Sequence, residues 1–137
     1  RLVSELGDAD LPDGYRFLFV RAIAEFAGGN YLEAGRLFRD VNDSTRQMSK
    51  RIYTSYLLAD ESGRPTTFTG RVESSDTRSG QVWVNELGTR VKFEPRLFSA
   101  GGEFARHQQL PPFFIGFKLS RGPVAEPRTV FRERPGT

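Results

Sequence analysis

Cysteine is absent from the 137 residues, which removes both a disulfide framework and a thiolate zinc site and fits a cytoplasmic chain. Long apolar runs are absent too. Nothing approaches the roughly 20 residues that a membrane-crossing helix needs, and no signal-peptide pattern opens the chain. A soluble chain with no membrane partner is therefore expected. Histidine occurs once, at His107, without a second histidine or a carboxylate at ligand spacing, so no metal is expected. No glycine-rich loop ends in Lys-Ser/Thr, and Gly28-Gly29-Asn30 follows a helix pattern rather than a strand, which argues against a phosphate cradle. No serine lies in a nucleophile elbow. Asp60, Glu61 and Asp76 fall in turn clusters, where carboxylates bond the local backbone, and nothing pairs them as acid and base. The expectation is a protein that is not an enzyme and needs no cofactor.

What is present divides the chain by charge. The residues up to Gly63 carry 8 Lys/Arg against 10 Asp/Glu, and those from Arg64 onward carry 12 against 7. The net charge of +3 thus hides a mildly acidic first half and a basic second half, and a basic half attracts polyanions. The chain begins at Arg1 and ends in a polar run, as one segment of a larger multidomain protein would.

The first half has helical period. Residues 1–12 show none and are expected to be a poorly ordered lead-in. From Asp13, a candidate N-cap, the residues Tyr15, Leu18, Phe19, Ala22, Ile23 and Phe26 recur every three or four positions and predict a helix to about Ala27, ended by Gly28-Gly29. Asn30 then caps a second helix to about Asn42, with Tyr31, Ala34, Leu37, Phe38 and Val41 as its stripe. The run from Gly29 to Ala34, with Phe38 beyond it, resembles the second half of a tetratricopeptide repeat. In that pattern a small Ala34 lets two helices approach while Tyr31 and Phe38 fill the gap. The resemblance implies neighbouring helical repeats as packing partners.

The second half has strand period. Ile52 to Ala59 and Thr66 to Glu73 flank a turn cluster at Asp60 to Pro65 and predict a hairpin. Residues 43–51 are expected to be a linker or a short helical turn. Gln81 to Glu86 and Arg90 to Glu94 flank a turn at Leu87-Gly88. A polar loop from Ser99 to Gln109 leads to Pro111-Pro112 and two closing strands, Phe113 to Leu119 and Val124 to Phe131, with Gly122-Pro123 forcing the chain to turn between them. Short strands at this spacing suggest a small closed barrel. The predicted class is α+β, a helical hairpin over 1–51 followed by a small antiparallel β-barrel over 52–137.

Gly70-Arg71-Val72, Gly80 to Val84, Val91 to Glu94, Ile115-Gly116-Phe117 and Arg121-Gly122-Pro123-Val124-Ala125 come in the order of signals found in a cold-shock domain. Over about 70–130 the chain resembles that family, which implies an OB-like barrel binding single-stranded nucleic acid by stacking bases on aromatics of its second and third strands. The family's stacking positions fall here on Gln81, Trp83, Lys92 and Glu94, and its exposed tryptophan of the first strand falls on Ser74.

Period-two alternation gives a face independently of that likeness. If Val82, Val84, Val91 and Phe93 point inward, then Gln81, Trp83, Arg90 and Lys92 point outward. An indole among cations can stack a base while the cations meet phosphate; the alternative is an indole buried under a neighbouring element. Arg96, Lys118 and Arg121 would extend a phosphate track, or form a solvated basic rim. Two functions follow. One is a low-specificity binder of single-stranded nucleic acid, RNA more than DNA. The other is a protein-interaction or assembly module built on a degenerate barrel.

Overall fold

The structure is a computed structural model, and it describes residues 3–5, 13–45, 55–99, 101–118 and 121–128. Helix α1 covers Asp13–Ala27 and helix α2 Tyr31–Thr45, the second slightly longer than its apolar stripe predicted. Between them Gly29 takes φ 87°, and the amides of Gly28, Gly29 and Asn30 return to carbonyls of α1 at 2.9–3.0 Å, so the carbonyls at its C-terminus are satisfied. Asn30 stands directly before α2, its carbonyl accepting from the Ala34 amide at 2.9 Å and its side-chain amide donating to Glu25 at 2.8 Å. The side chains of Asp13 and Tyr15 lie outside the described residues, as do the segments 6–12, 46–54 and 129–137 in which other expectations fall.

Among the described residues seven strands accompany the helices: β1 Val3–Glu5, β2 Ser55–Leu58, β3 Phe68–Ser75, β4 Gly80–Val84, β5 Thr89–Phe93, β6 Gln109–Lys118 and β7 Gly122–Pro127. Their order is β1-β2-β6-β3-β4-β5-β7, and β6 also pairs with β7. That closes β3, β4, β5, β7 and β6 into a ring of five, an arrangement compatible with an OB-like barrel. The α+β class and the barrel stand, with one correction. The pairs β3–β4, β4–β5 and β3–β6 are antiparallel, but an odd ring cannot alternate direction all the way round. The barrel is therefore mixed rather than purely antiparallel.

Three further departures have local causes. Residues 3–5 are not mere lead-in but a strand paired to β2. Among the described residues the predicted hairpin of 52–59 with 66–73 is not seen: β2 pairs with β1 and β6, and Ala59 makes a single bridge to Pro65 at the end of the turn cluster. Pro65 has no amide to continue that ladder. A short helix, α3, at Pro95–Phe98 was not anticipated. Pro95 opens it, as proline can where a helix needs no donor, and Phe98 and Phe104 set their rings edge-on to Phe93 at 5.9 and 5.7 Å.

Contacts divide the chain into two units. The first, Arg1–Pro65 with Gly116–Val124, buries Phe19, Ile23, Phe26, Ala34, Leu37, Phe38 and Val41 from the helices with Tyr56, Leu57 and Phe117. Ala34 is 1% exposed, and aromatic rings pack in the same unit: Phe26 meets Tyr31 edge-on at 5.0 Å, and Phe38 stacks on Phe117 at 5.9 Å. The second unit, Thr66–Ile115 with Ala125–Thr137, buries Phe68, Val72, Val82, Val84, Val91, Phe93, Leu110 and Phe113. Residues 113–117 are all buried, which explains why β6 reads as a continuous apolar run rather than an alternation.

Candidate nucleic-acid interface

The outward wall of β3, β4 and β5 is built by alternation. Val72, Val82, Val84, Val91 and Phe93 point to the core, so the residues between them face solvent. The register then sets the neighbours. Trp83 on β4 stands opposite Arg71 on β3 and opposite Arg90 on β5, and Gln81 stands opposite Lys92. Arg71 in turn pairs with Gln109 on β6. One row across the wall is therefore Gln109, Arg71, Trp83, Arg90, and Gln81 with Lys92 lies in the next row.

Arg71, Gln81, Arg90 and Lys92 are exposed, and Trp83 is partly so. The indole is thus neither sealed beneath another element nor bare. The Arg90 guanidinium carbon lies 5.9 Å from the centre of its ring, within the range of cation–π attraction. Arg90 also donates from Nε to Glu73 Oε1 at 2.6 Å. Glu73 sits where the β3–β4 register slips between Val72 and Ser74, at a β-bulge.

Below this row the wall is tied at the β4–β5 turn. Thr69 donates its amide and its hydroxyl to Glu86 at 2.9 and 2.7 Å, and the Asn85 amide donates to the Thr69 carbonyl at 2.9 Å. Gly88 takes φ 67°, the left-handed conformation that this turn requires. Burial pushes the Glu86 carboxyl up, and the Thr69 bonds more than offset it, leaving the group below its ordinary value. The β3–β4 turn uses the same device: Asp76 Oδ1 accepts from the amides of Ser79 and Arg78 at 2.8 and 2.7 Å, which lowers its carboxyl.

Of the predicted site residues, Gln81, Trp83, Arg90 and Lys92 come together on the wall. Arg96 is exposed on α3, its Cγ beside Gly102 of the following loop. Lys118 and Arg121 belong to the first unit, at the turn where the Arg121 amide donates to the Lys118 carbonyl at 3.2 Å. His107 is exposed with φ 70° and serves the backbone, its amide reaching Val72 O at 2.7 Å.

Arg71 and Glu73 were missed. The signal for Arg71 was available, since Val72 inward makes Arg71 outward, but its neighbour across the wall depends on pairing. Alternation from Val72 sets Glu73 outward as well, but the bulge that leaves it without a partner on β4 depends on pairing and could not be read from the strand alone. Among the described residues no three His, Cys, Asp or Glu side chains gather as metal ligands would, and no helix is long and apolar enough to cross a membrane. Compared with models of known families, with curated proteins and with solved structures, the chain matches none.

Proposed function

We propose that this chain is a non-catalytic, cytoplasmic module of a larger protein that binds single-stranded nucleic acid, RNA in preference to DNA, with low sequence specificity. In this reading the barrel works as a cold-shock-like domain with a single stacking residue, and the helices are the end of a tetratricopeptide-like stretch. The observation that carries it is the row Arg71, Trp83, Arg90 across three strands. It sets one π surface between two cations, the combination that takes a base with the phosphates on either side of it. Lys92 and Gln81 in the next row add a further charge and an amide able to meet a base edge.

The test is titration of a labelled oligonucleotide. Trp83→Ala should cost about 1–3 kcal/mol of binding, the usual worth of one stacked base. Lys92→Ala should weaken binding evenly across sequences and lower the salt slope by about one. Both variants should melt as the wild type does, because both positions face outward.

A second reading, a protein-interaction module, is favoured by α1. Phe17 is 67% exposed and Val20 47% exposed, and with exposed Ala24 they form an apolar stripe on the side of the helix away from Phe19, Ala22, Ile23 and Phe26. Absence of oligonucleotide binding by the wild type at low salt would leave this as the surviving function.

A further inference from the structure

A bulge opposes two residues to one and re-aims the side chain that it adds. In β3, Val72 pairs with Val82 and Ser74 with Gln81, so Glu73 between them has no partner of its own on β4. Its carboxylate instead holds Arg90 of β5, at 2.6 Å. Strand β4 lies between β3 and β5, and the residue of β4 opposite Arg90 is Trp83. The ion pair therefore joins the two strands that flank the indole, across roughly 10 Å of sheet, with the guanidinium over the indole ring.

We infer that the Glu73–Arg90 pair is a strap across Trp83, and that Glu73 makes the wall selective for an aromatic base that carries a neighbouring phosphate. The inference rests on the nucleic-acid reading of the wall and deepens it. To stack on the indole, a base must displace the guanidinium. The guanidinium leaves a carboxylate readily when a second anion receives it, because charge-assisted bonds to phosphate replace those it loses. A nucleic-acid strand supplies both groups at once, the base to Trp83 and the phosphate to Arg90. A free nucleoside supplies no anion, and an abasic phosphate chain supplies no ring, so neither completes the exchange. Arg71, on the other side of the indole and held by no carboxylate among the described residues, is the first phosphate contact.

Two measurements test this separately from the parent reading. The chain has one tryptophan, so acrylamide quenching of its emission reports access to the indole without any ligand. Glu73→Gln preserves shape and removes charge; quenching should rise in E73Q, to the level of Arg90→Ala, and unchanged quenching overturns the strap.

The second measurement compares three probes: a short oligouridylate, an abasic deoxyribose-phosphate chain of equal length, and uridine. The wild type should bind the oligouridylate about tenfold more tightly than the abasic chain, the lower end of what stacking supplies, with no saturable binding of uridine. E73Q should bind the oligouridylate about two- to fivefold more tightly, the range that an exposed ion pair allows, and should narrow the gap to the abasic chain. Glu103→Gln, which removes an equal charge from an exposed loop, controls for net charge. An equal gain in both variants, or no gain in E73Q despite increased quenching, overturns the selectivity while binding itself stands. Failure of the wild type to bind any of the three at low salt overturns the nucleic-acid reading and the selectivity with it.

Discussion

Glycine shows how the same substitution changes sign with surroundings. A Cβ on Gly70 would run into the Trp83 carbonyl oxygen, and one on Gly80 would stand 2.5 Å from the Phe93 ring. Both strands are fixed in a closed barrel, so we expect Gly70→Ala and Gly80→Ala each to destabilise by about 1–3 kcal/mol, as overpacking does, read as a lower urea midpoint. Gly35 is exposed in the interior of α2 with nothing within 4 Å of its would-be Cβ. There alanine removes backbone entropy from the unfolded chain, and Gly35→Ala should raise stability by about 0.5–1 kcal/mol. Single residues on the wall were legible in the sequence to the extent that alternation is. It set Gln81, Trp83, Arg90 and Lys92 outward from the valines beside them. It could not pair Arg71 with Trp83, because register between strands is decided by turns and by barrel closure rather than by either strand alone.

At the scale of elements, the β4–β5 turn is held to β3 by the Glu86 carboxylate. Its folded value lies below the ordinary 4.5 because the bonds from Thr69 outweigh the effect of burial. A carboxyl lowered on folding contributes stability that is complete above its unfolded value and is lost as pH falls through its folded value. Asp60, bonded by Ser62 and Arg64, and Asp76 are lowered from an ordinary 3.8 and add to the same loss. Melting temperature should therefore stay level from neutral pH down to about 4.5 and then drop, and Glu86→Gln should make the drop shallower while lowering the plateau. The turns themselves were readable from Asp60, Gly63, Asp76 and Gly88. The partner of β2 was not. A turn cluster between two strand-like runs signals a hairpin, yet Pro65 limits that pairing to one bridge and β6 takes the place. Pro111 and Pro112 are accommodated inside β6 because the β3–β6 register slips there, Phe68 facing Phe113 and Gly70 facing Leu110, so neither proline has to supply a ladder amide.

On the scale of the whole molecule, the helical unit is not a continuous piece of chain. Phe117, fully buried against Phe26 and Phe38 at ring distances of 5.5 and 5.9 Å, arrives with residues 116–124 from far along the sequence. Phe117→Ala should cost about 3–5 kcal/mol, the usual loss for a buried phenylalanine. A chain ended at Pro65 should lack stable helix by far-ultraviolet circular dichroism, whereas Phe17→Ser, on the exposed stripe, should leave the full chain folded. Local period revealed α1, α2 and most strands but had no means of showing that the end of β6 completes the helical core, since that contact is one of long sequence separation. The sequence of events on a ribosome follows from the same arrangement. After α2 has emerged, some 70 further residues must be added before Phe117 can reach it, roughly 4–14 s at ordinary synthesis rates. For that interval Phe26 and Phe38 wait without their third ring, and a chaperone that holds apolar helices has its opportunity then.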